Sequence, residues 1–461
     1  MESKGYNGHV LVVPFPTQGH INPMLQFSKR LLSKGIKATL AITLFIYKSI
    51  NHESSASVQI DTISDGCDQG GFAEADGVQD YIKRLETVGS KTLAELILKH
   101  KESSNPVDCI AYDAAMPWAL DVAKQFGLIT APFFTQMCAV DYIYYNVHHG
   151  LLSLPVSSTP VSLPGLPLLE HGDLPSFLCS SEGSYAAYLK RALNQFSNLD
   201  KADCILVNTF YNLEDEVVDS MSKVCPLLTI GPTVPSIYLD KRIPDDKNYG
   251  VNLFTLDYST SINWLSSKPP GSVIYVAFGS VTCLNNEQME EVAWGLKQSN
   301  CYFLWVVRAT EEEKLPKEFK EETVDKGLIV NWSPQLEVLS NEAVGCFLTH
   351  SGWNSTTEAL SLGVPMVAMP QWTDQPTNAK FVEDIWKMGV RVKANNDGIA
   401  SREQIASCIM QVMEGARGRE MKENAKKWRD LAVEAMSKGG SSDKNIDEFV
   451  SKLTDKNLAD N

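Results

Sequence analysis

Apolar and polar positions follow one another along this chain in an order that predicts parallel sheets interleaved with helices. Continuous apolar runs, such as 9–15 and 272–278, are typical of strands that are buried on both faces. Each of these runs ends in a turn that contains glycine, and segments with helical spacing of apolar residues follow, as at 286–298. A further helix is predicted at 401–414, with Ser401 as its cap. Strand, turn, helix and strand in this order predict a doubly wound α/β sheet.

Two such sheets are predicted, because the arrangement occurs twice. The first half carries apolar runs at 9–15, 36–43, 108–113, 128–134 and 203–209, and the second half carries them at 272–278, 302–308, 345–350 and 365–370. A chain of 461 residues is too long for one hydrophobic core. A stretch without periodicity, rich in Pro, Asp, Asn and Lys, lies between the halves. We therefore predict domains at 1–235 and 262–440, a linker at 236–261 and a C-terminal helix within 441–461.

Two polar side chains stand where strands of the first sheet end. His20 follows the first strand, before a helix expected to begin near Asn22-Pro23, and Asp113 closes the strand at 108–113. Ligands of such folds bind beyond the carboxyl ends of the strands. Asp113 could simply cap the helix after it, which is the ordinary role of an isolated Asp at this place. Alternatively, His20 is a general base, and Asp113 accepts a hydrogen bond from its other ring nitrogen.

The segment from Trp332 to Gln375 carries the densest set of polar and aromatic side chains. A strand at 345–350 leads into a polar cluster at 351–355, and a helix follows that Gly363 ends. Amides at the start of such a helix suit an anion such as a phosphate, and His350, Asn354 and Ser355 can donate to the same place. Taken singly, each residue has an ordinary role in packing or capping. The segment has neither Gly-x-x-x-x-Gly-Lys nor Gly-x-Gly-x-x-Gly, the two common phosphate-binding loops.

This segment opens with Trp-x-Pro-Gln, has His-x-Gly-Trp-Asn-Ser at its centre and closes with Asp-Gln. It resembles the signature box of plant UDP-sugar-dependent glycosyltransferases (family 1, GT-B fold), and the wider resemblance runs from His9 to about Val450. The resemblance implies two facing Rossmann-like domains, the first for the acceptor and the second for the UDP-sugar, with a C-terminal helix that crosses back to the first. Ser333 and Ser351 stand where the family commonly has Cys. Because Ser and Cys side chains are both small, we expect that these two substitutions preserve binding of the donor.

The resemblance also implies a role for each residue of the box. Trp332 would stack on uracil, Gln335 would bond to the nucleoside, and Glu358 would accept from both ribose hydroxyls. The other candidates in the box form a set for the diphosphate, namely His350, Gly352, Asn354 and Ser355, and a set for the sugar, namely Trp353, Asp374 and Gln375. Ser280, which lies outside the box at the exit of the strand at 272–278, is a further candidate donor to the diphosphate. In this family a closing Gln tends to go with glucose and a closing His with galactose.

The resemblance points to His20 and Asp113 as the catalytic pair. The segment 139–150, rich in Tyr and His, would line an acceptor cavity, and the Pro- and Ser-rich segment 153–175 would form part of its mouth. Further candidates for acceptor contacts are Thr17, Gln136 and Tyr145. Ordinary helix packing is the alternative role for each aromatic residue.

The net charge and the positions of the cysteines argue against several other classes of protein. The formal net charge of −15, from 41 basic and 56 acidic residues, argues against nucleic acid or an anionic membrane as a partner. The ten cysteines form no Cys-x-x-Cys or His/Cys cluster, so no metal site is predicted. The apolar run 10–13 is too short for a signal peptide or a membrane span. Glycosylation sequons begin at Asn331 and Asn354, where a glycan would block the donor site, so we expect a cytoplasmic protein. We also expect the protein to be a monomer.

The function predicted from these observations is inverting transfer of glucose from UDP-glucose to small hydrophobic plant metabolites, giving β-O-glucosides of terpenoid or steroid alcohols, phenolics or flavonoids. No cofactor beyond the UDP-glucose donor is expected. One alternative is a glucose-ester-forming transferase that acts on small carboxylic acids, and another is a non-catalytic binder on the same fold. A nucleotide-dependent oxidoreductase lacks its Gly-x-Gly-x-x-Gly here, and a Ser hydrolase lacks its Gly-x-Ser-x-Gly.

Overall fold

A computed structural model describes residues 6–50, 58–156, 158–179, 184–244, 246, 249–250 and 258–459. The chain divides into two compact units. Unit 1 comprises residues 1–171, 177–254 and 434–461, and unit 2 comprises residues 172–176 and 255–433. The junction between residues 254 and 255 falls inside the predicted linker, of which residues 251–257 lie outside the described part. The return to unit 1 begins at Glu434, before the predicted position 441.

Unit 1 is built on a parallel sheet. Its strands, among the described residues, are β1 (His9–Val13), β2 (Lys37–Thr43), β3 (Gln59–Ile63), β4 (Cys109–Asp113), β5 (Ile129–Phe134), β6 (Leu206–Val207) and β7 (Leu228–Thr229). The strand order is β3-β2-β1-β4-β5-β6-β7. Every residue of β1, β4 and β5 is buried, as their unbroken apolar runs predict.

The helices of unit 1 connect these strands. They are α1 (Gln18–Ser33), α2 (Leu44–Ser49), α3 (Gly77–Lys101), α4 (Trp118–Gln125), α5 (Cys138–His148), α6 (Ser184–Asn194) and α7 (Asp215–Ser222). One face of the sheet packs on α3 and α4 through Leu11, Ile110, Leu93 and Leu120, all of which are fully buried. This burial supplies the main driving force for the layer.

Unit 2 repeats the architecture. Its described strands are β8 (Val273–Ala277), β9 (Tyr302–Val306), β10 (Gly327–Val330), β11 (Val344–Thr349), β12 (Met366–Ala368) and β13 (Gly389–Arg391). They pair in parallel in the order β10-β9-β8-β11-β12-β13. The helices are α8 (Tyr258–Ser266), α9 (Asn286–Gln298), α10 (Phe319–Glu322), α11 (Gln335–Leu339), α12 (Trp353–Leu362), α13 (Gln375–Lys380), α14 (Arg402–Met413) and α15 (Gly415–Met436).

Each sheet has a point at which its strand order reverses. In unit 1 the chain moves from β1 to β2 and β3, and then returns to place β4 on the other side of β1. In unit 2, β8 and β11 stand in the same relation. The pairing joins Val13 to Tyr112 in unit 1 and Ala277 to Thr349 in unit 2. The residues that follow these strands therefore meet at the places where ligands bind in doubly wound folds.

Local signals fixed several helix ends as predicted. The helix α9 has the predicted bounds, and the side chain of Asn285 caps it by accepting from the amide of Gln288 at 2.8 Å. Ser401 caps α14 in the same way, through the amide of Gln404 at 3.3 Å. Gly363 ends α12 with a left-handed φ of 72°, which glycine adopts without steric cost.

The predicted start of α1 was wrong. The helix begins at Gln18 rather than near Asn22, because the carbonyl of Thr17 accepts from the amides of His20 at 3.0 Å and Ile21 at 2.9 Å. His20 therefore lies in the first turn of α1, and Pro23 lies inside the helix rather than at its start. The Pro-Thr-Gln-Gly sequence favoured a longer turn. The helix α6 was not predicted from the sequence, although Tyr185, Tyr188, Leu189 and Ala192 have helical spacing.

A C-terminal helix, α16 (Ser441–Ala459), packs on unit 1 as predicted. Its Phe449 ring lies 5.7 Å from that of Phe27 in α1, and Asn445 donates to the carbonyl of Thr229 at 2.8 Å. Near its start, Asp443 accepts from Lys34 and from Arg242, both at 2.8 Å. Burial raises the pKa of Asp443, but these hydrogen bonds and one from the Gly439 amide outweigh it and lower the pKa to about 2.

All ten cysteines are free thiols. Within the described ranges, no helix combines the length and the apolar character that crossing a membrane requires. In that same part of the chain, no three His, Cys, Asp or Glu side chains are grouped so that they could hold a metal ion.

The substitution Asp443→Asn is expected to destabilise the protein by about 2–3 kcal/mol at pH 7, as a carboxyl whose pKa falls from about 3.9 to about 2 on folding implies. Because the folded-state pKa is depressed, this stability is present above about pH 4 and is lost as the pH falls toward 2. Urea unfolding followed by circular dichroism measures the difference.

A matched control is Asp447→Asn, since Asp447 contacts the same Lys34 nitrogen at 2.6 Å but is 58% exposed. An exposed ion pair contributes about 0–1 kcal/mol to the free energy of unfolding, so this variant should unfold close to the wild-type midpoint. Equal losses in the two variants would contradict the assignment of stability to the buried carboxylate.

Candidate functional site

His20 and Asp113 meet in unit 1, as predicted. The Nδ1 atom of His20 lies 2.5 Å from Oδ2 of Asp113. The other oxygen, Oδ1, accepts from the amide of Ala115 at 3.0 Å. Asp113 therefore orders a turn before α4 with one oxygen and holds the imidazole with the other. It does not cap α4 itself, whose N-cap is Pro117 without a side-chain hydrogen bond.

The hydrogen bond to Asp113 determines which ring nitrogen of His20 can take up a proton. An ionised carboxylate only accepts hydrogen bonds, so Nδ1 carries the hydrogen and Nε2 keeps its lone pair. The Nε2 atom has no hydrogen-bond partner within the described residues. The His20 side chain is 22% exposed, whereas Asp113 is 2% exposed. A buried acceptor thus orients a base that remains accessible.

The surroundings of His20 include one contact that the sequence did not indicate. The hydroxyl of Thr135, which follows β5, lies 3.1 Å from Nδ1 of His20. The predicted hydroxyl, that of Thr17, is exposed and makes no hydrogen bond to His20 among the described contacts. Gln136 is partly buried beside Thr135. Tyr145 packs on His149, with 4.2 Å between ring centroids, and on Phe196, an arrangement typical of ordinary packing.

In unit 2, two glycines enclose the ring of His350. A Cβ atom added to Gly279 would lie 2.7 Å from Nε2 of His350, and one added to Gly352 would lie 2.6 Å from it. Gly279 also has a φ of 75°, so the turn after β8 requires glycine for two reasons. Burial lowers the pKa of His350 to about 4, although a hydrogen bond with the Ala277 carbonyl opposes this shift. The ring is therefore neutral near pH 7, and an anion beside it would favour its charged form.

The N-terminus of α12 lies directly after this histidine. Ser351 has a φ of 61°, which turns the chain between β11 and the helix. Asn354 is partly exposed and Ser355 is buried, both in the first turn. This turn presents amides that have no partner inside the helix, together with the positive end of the helix dipole. The combination forms a site suited to phosphate.

Asp374 is buried at this helix end and is already hydrogen-bonded. Its carboxylate accepts from Asn378 at 2.6 Å and from Thr373 at 2.9 Å, and the Trp353 amide is a further donor. Burial raises the pKa of Asp374, and these hydrogen bonds only partly offset the rise. A carboxylate has about four acceptor positions, so the capacity left for a ligand is small. Asp374 therefore also holds α12 and α13 together.

Gln335 lies at the centre of a side-chain network. Its Nε2 donates to Oε2 of Glu358 at 2.7 Å and to Oγ of Ser355 at 3.0 Å, while its Oε1 accepts from the hydroxyl of Tyr275 at 3.2 Å. The predicted hydrogen bond from the Gln335 side chain to a nucleoside therefore has little room. The network holds Glu358 in place, and it leaves the Ser355 hydroxyl hydrogen available to an anion.

Tyr275, in β8, was not predicted from the sequence. Its ring stacks on Phe347 at 4.9 Å, and its hydroxyl lies 3.0 Å from that of Ser333. Ser333 is one of the two positions at which this chain departs from the family pattern. The exchange therefore places a hydroxyl where a tyrosine can hydrogen-bond to it, which explains how the substitution is accommodated.

The two tryptophans of the segment differ in their surroundings. Trp332 is partly exposed, as an aromatic platform for a planar base must be. Trp353 is 4% exposed, and its ring centroid lies 6.2 Å from that of Trp386. Packing thus accounts for the Trp353 ring, and its predicted sugar contact stays a prediction.

Gln375 and Arg308 each hold one loop of unit 2 in place through hydrogen bonds to its backbone. The Oε1 atom of Gln375 accepts from the amides of Gln371 at 2.8 Å and Trp372 at 3.1 Å. Its Nε2 has no partner among the described residues, so it can donate to a hydroxyl of a ligand. Arg308, which was not predicted, donates to the carbonyls of Ser280 and, at 2.6 Å, of Thr282. It thereby fixes the loop that presents the exposed Ser280.

Comparison with curated proteins finds relatives along the whole chain. UDP-glycosyltransferase 74F2 of Arabidopsis thaliana is 58% identical, over 99% of this chain and 100% of that protein. Flavonol 7-O-beta-glucosyltransferase UGT74F1 of the same species is 57% identical, over 97% of this chain and 98% of that protein.

Among solved structures, Os79 from O. sativa in complex with UDP is similar, with a TM-score of 0.91 and 42% sequence identity. The match covers 96% of this chain and 100% of Os79. A second structure of Os79, which includes trichothecene, has a TM-score of 0.89. These structures confirm the GT-B fold that the motif implied.

Residues 262–432 match the family model described as UDP-glucoronosyl and UDP-glucosyl transferase. This range contains the whole segment from Trp332 to Gln375 and begins where the donor-binding domain was predicted to begin. Together with relatives above 50% identity along nearly the full length, the match shows that the chain belongs to the plant UDP-dependent glycosyltransferases of family 1.

Proposed function

We propose that this enzyme transfers glucose from UDP-glucose to a hydroxyl group of a small hydrophobic acceptor, with inversion at the anomeric carbon. The observation that carries the proposal is the His20–Asp113 pair, whose accessible Nε2 lacks a partner among the described residues. The complete donor segment in unit 2 supports the choice of a UDP-sugar. A binder without catalysis would have no need of an oriented base.

In the proposed reaction, Nε2 of His20 takes the proton of the acceptor hydroxyl as its oxygen attacks the anomeric carbon. The bond from that carbon to the diphosphate breaks on the opposite face, so an α-linked donor gives a β-glucoside, and UDP leaves with the electron pair. Asp113 stabilises the imidazolium that forms. The amides of α12, the Ser355 hydroxyl and His350 would bear the charge on the departing diphosphate.

The relatives support a small and largely apolar acceptor. One is named for flavonol 7-O-glucosylation, and Os79 has been solved with trichothecene. Phenols and polycyclic alcohols therefore form the first panel to be tested. Incubation with UDP-glucose and this panel, with products identified by mass, tests the proposal. A hexose adduct on at least one acceptor is expected, and UDP binding without any adduct would instead favour a non-catalytic binder.

We also infer a cytosolic location. The sequons begin at Asn331, which is exposed, and at Asn354, which lies in the first turn of α12. A glycan at either position would stand beside Trp332 or the proposed diphosphate site. Forced secretion from a plant cell is expected to give a glycosylated protein with weakened UDP binding, and unchanged binding would remove this argument.

The substitution His20→Ala is expected to lower turnover with hydroxyl acceptors by roughly 10²–10⁴-fold, because the proton no longer has an oriented acceptor. Binding of UDP, measured by calorimetry, should stay within about twofold of the wild-type value. Lys101→Ala, which removes an exposed side chain from the end of α3, is the control and should keep full turnover. Near-normal turnover of His20→Ala on an alcohol would exclude His20 as the base.

The substitution Glu358→Ala is expected to weaken UDP binding by about 1–3 kcal/mol, since the acceptor for two ribose hydroxyls is lost and Gln335 loses its partner at 2.7 Å. Calorimetric titration with UDP measures the effect. Glu337→Ala removes the same charge from an exposed position on α11 and should bind UDP normally. Unchanged affinity in Glu358→Ala would show that the ribose does not bind there.

UDP-glucose is expected to be preferred to UDP-galactose by at least about tenfold in kcat/KM. The two sugars differ in one hydroxyl orientation, and a wrong epimer would leave a buried donor such as Nε2 of Gln375 unpaired. Gln375→His should shift the ratio toward galactose. Competition of the two donors for one acceptor decides between the outcomes, and equal use by the wild type would exclude Gln375 as a sugar contact.

A further inference from the structure

The helix α6 places a cation beside the catalytic pair of unit 1. The guanidinium carbon of Arg191 lies 4.5 Å from the centroid of the Phe15 ring and 5.8 Å from that of Tyr188. The ring of Phe15 in turn lies 5.3 Å from the ring of His20. The guanidinium carbon of Arg191 and the ring centroid of His20 therefore lie within about 10 Å of each other.

Arg191 has no hydrogen-bonded carboxylate partner among the described residues. Its N–H groups make no hydrogen bond and no salt bridge within the part of the chain that the structure describes, and the side chain is partly buried. Arg30, in the same unit, instead forms a bidentate ion pair with Asp240, with hydrogen bonds of 2.7 and 2.8 Å. Burial lowers the pKa of Arg191, and the charge of Asp113 opposes the shift. A partly buried cation without a protein partner among the described residues keeps its donors for a ligand.

The chemistry of the guanidinium identifies the class of ligand. Its planar set of donors matches a carboxylate, which it can bind through two parallel hydrogen bonds. A cation at this place also offsets the repulsion between an anionic ligand and the Asp113 carboxylate. The whole chain has a formal charge of −15, so an anionic acceptor needs a local positive charge to bind.

We propose that Arg191 binds a carboxylate of the acceptor while His20 takes the proton from a hydroxyl on the same molecule. The inference rests on the proposed function and narrows its substrate class to aromatic hydroxy acids. The upper limit on the separation of the two side chains is compatible with a single ring that bears both groups. The carboxylate is held and not consumed, so the product is a glucoside of the hydroxyl and keeps the free acid.

The test compares 3-hydroxybenzoate with 3-hydroxybenzamide, which has nearly the same shape without the charge. In the wild type the acid should have the higher kcat/KM. Arg191→Gln is expected to lower kcat/KM for the acid by about 10–100-fold, as the loss of charge-assisted hydrogen bonds implies, and for the amide by less than about twofold. Arg191→Lys should restore part of the difference, because a point charge replaces the planar fork.

The matched control is Lys190→Gln, which removes a charge from an exposed position on the same helix and should leave both acceptors unaffected. Equal losses for acid and amide in Arg191→Gln would overturn the proposal, and so would an alkali-labile glucose ester as the product.

A binding measurement separates this proposal from the proposed function. Calorimetric titration of 3-hydroxybenzoate into the protein with UDP present requires no turnover. Weaker binding to Arg191→Gln than to the wild type would support the subsite even if no acceptor were glucosylated. Equal binding to both proteins would overturn the subsite, even if the wild type glucosylated the phenols of the panel.

Discussion

The parallel pairing of β1 with β4 and of β8 with β11 is the constraint on which both parts of the site depend. Backbone hydrogen bonds fix the register, which joins Val13 to Tyr112 and Ala277 to Thr349. Because the strand order reverses at these pairs, no other strand separates the segments that leave them. The contact of His20 with Asp113, and the enclosure of His350 by Gly279 and Gly352, are consequences of that register.

Most polar side chains around these points are already oriented by one another. Asp113 divides its two oxygens between a turn and His20, Gln375 directs its oxygen to two loop amides, and Gln335 holds Glu358 and Ser355. In each case a specific atom remains for the ligand. Such preorganisation lowers the entropic cost of binding and the reorganisation that the reaction requires. Arg191 is different, because it lies beside these side chains while its own donors make no hydrogen bond within the described part of the chain.

The sequence predicted those parts of the protein that local rules determine. Apolar runs identified the strands, Gly363 and Ser401 marked helix ends, and the spacing of the donor segment identified the family. The contacts that it missed join residues far apart in the chain. Tyr275 looks like a core residue of β8 until Ser333 and Gln335 approach it. Thr135 meets His20 only because the segments that follow β5 and β1 leave the sheet at the same edge. The start of α1 was missed because a carbonyl, that of Thr17, organises it without a distinctive side chain.

The stereochemistry of the product tests the central claim most directly, since it follows from attack by a deprotonated acceptor opposite the leaving diphosphate. Proton NMR of the product formed from α-linked UDP-glucose and a phenol of the panel reports the configuration of the anomeric carbon. We expect the large axial–axial coupling of a β-glucoside, formed in one displacement. An α-glucoside with the small coupling would contradict single displacement, and with it the role of His20 as the base that activates the attacking oxygen.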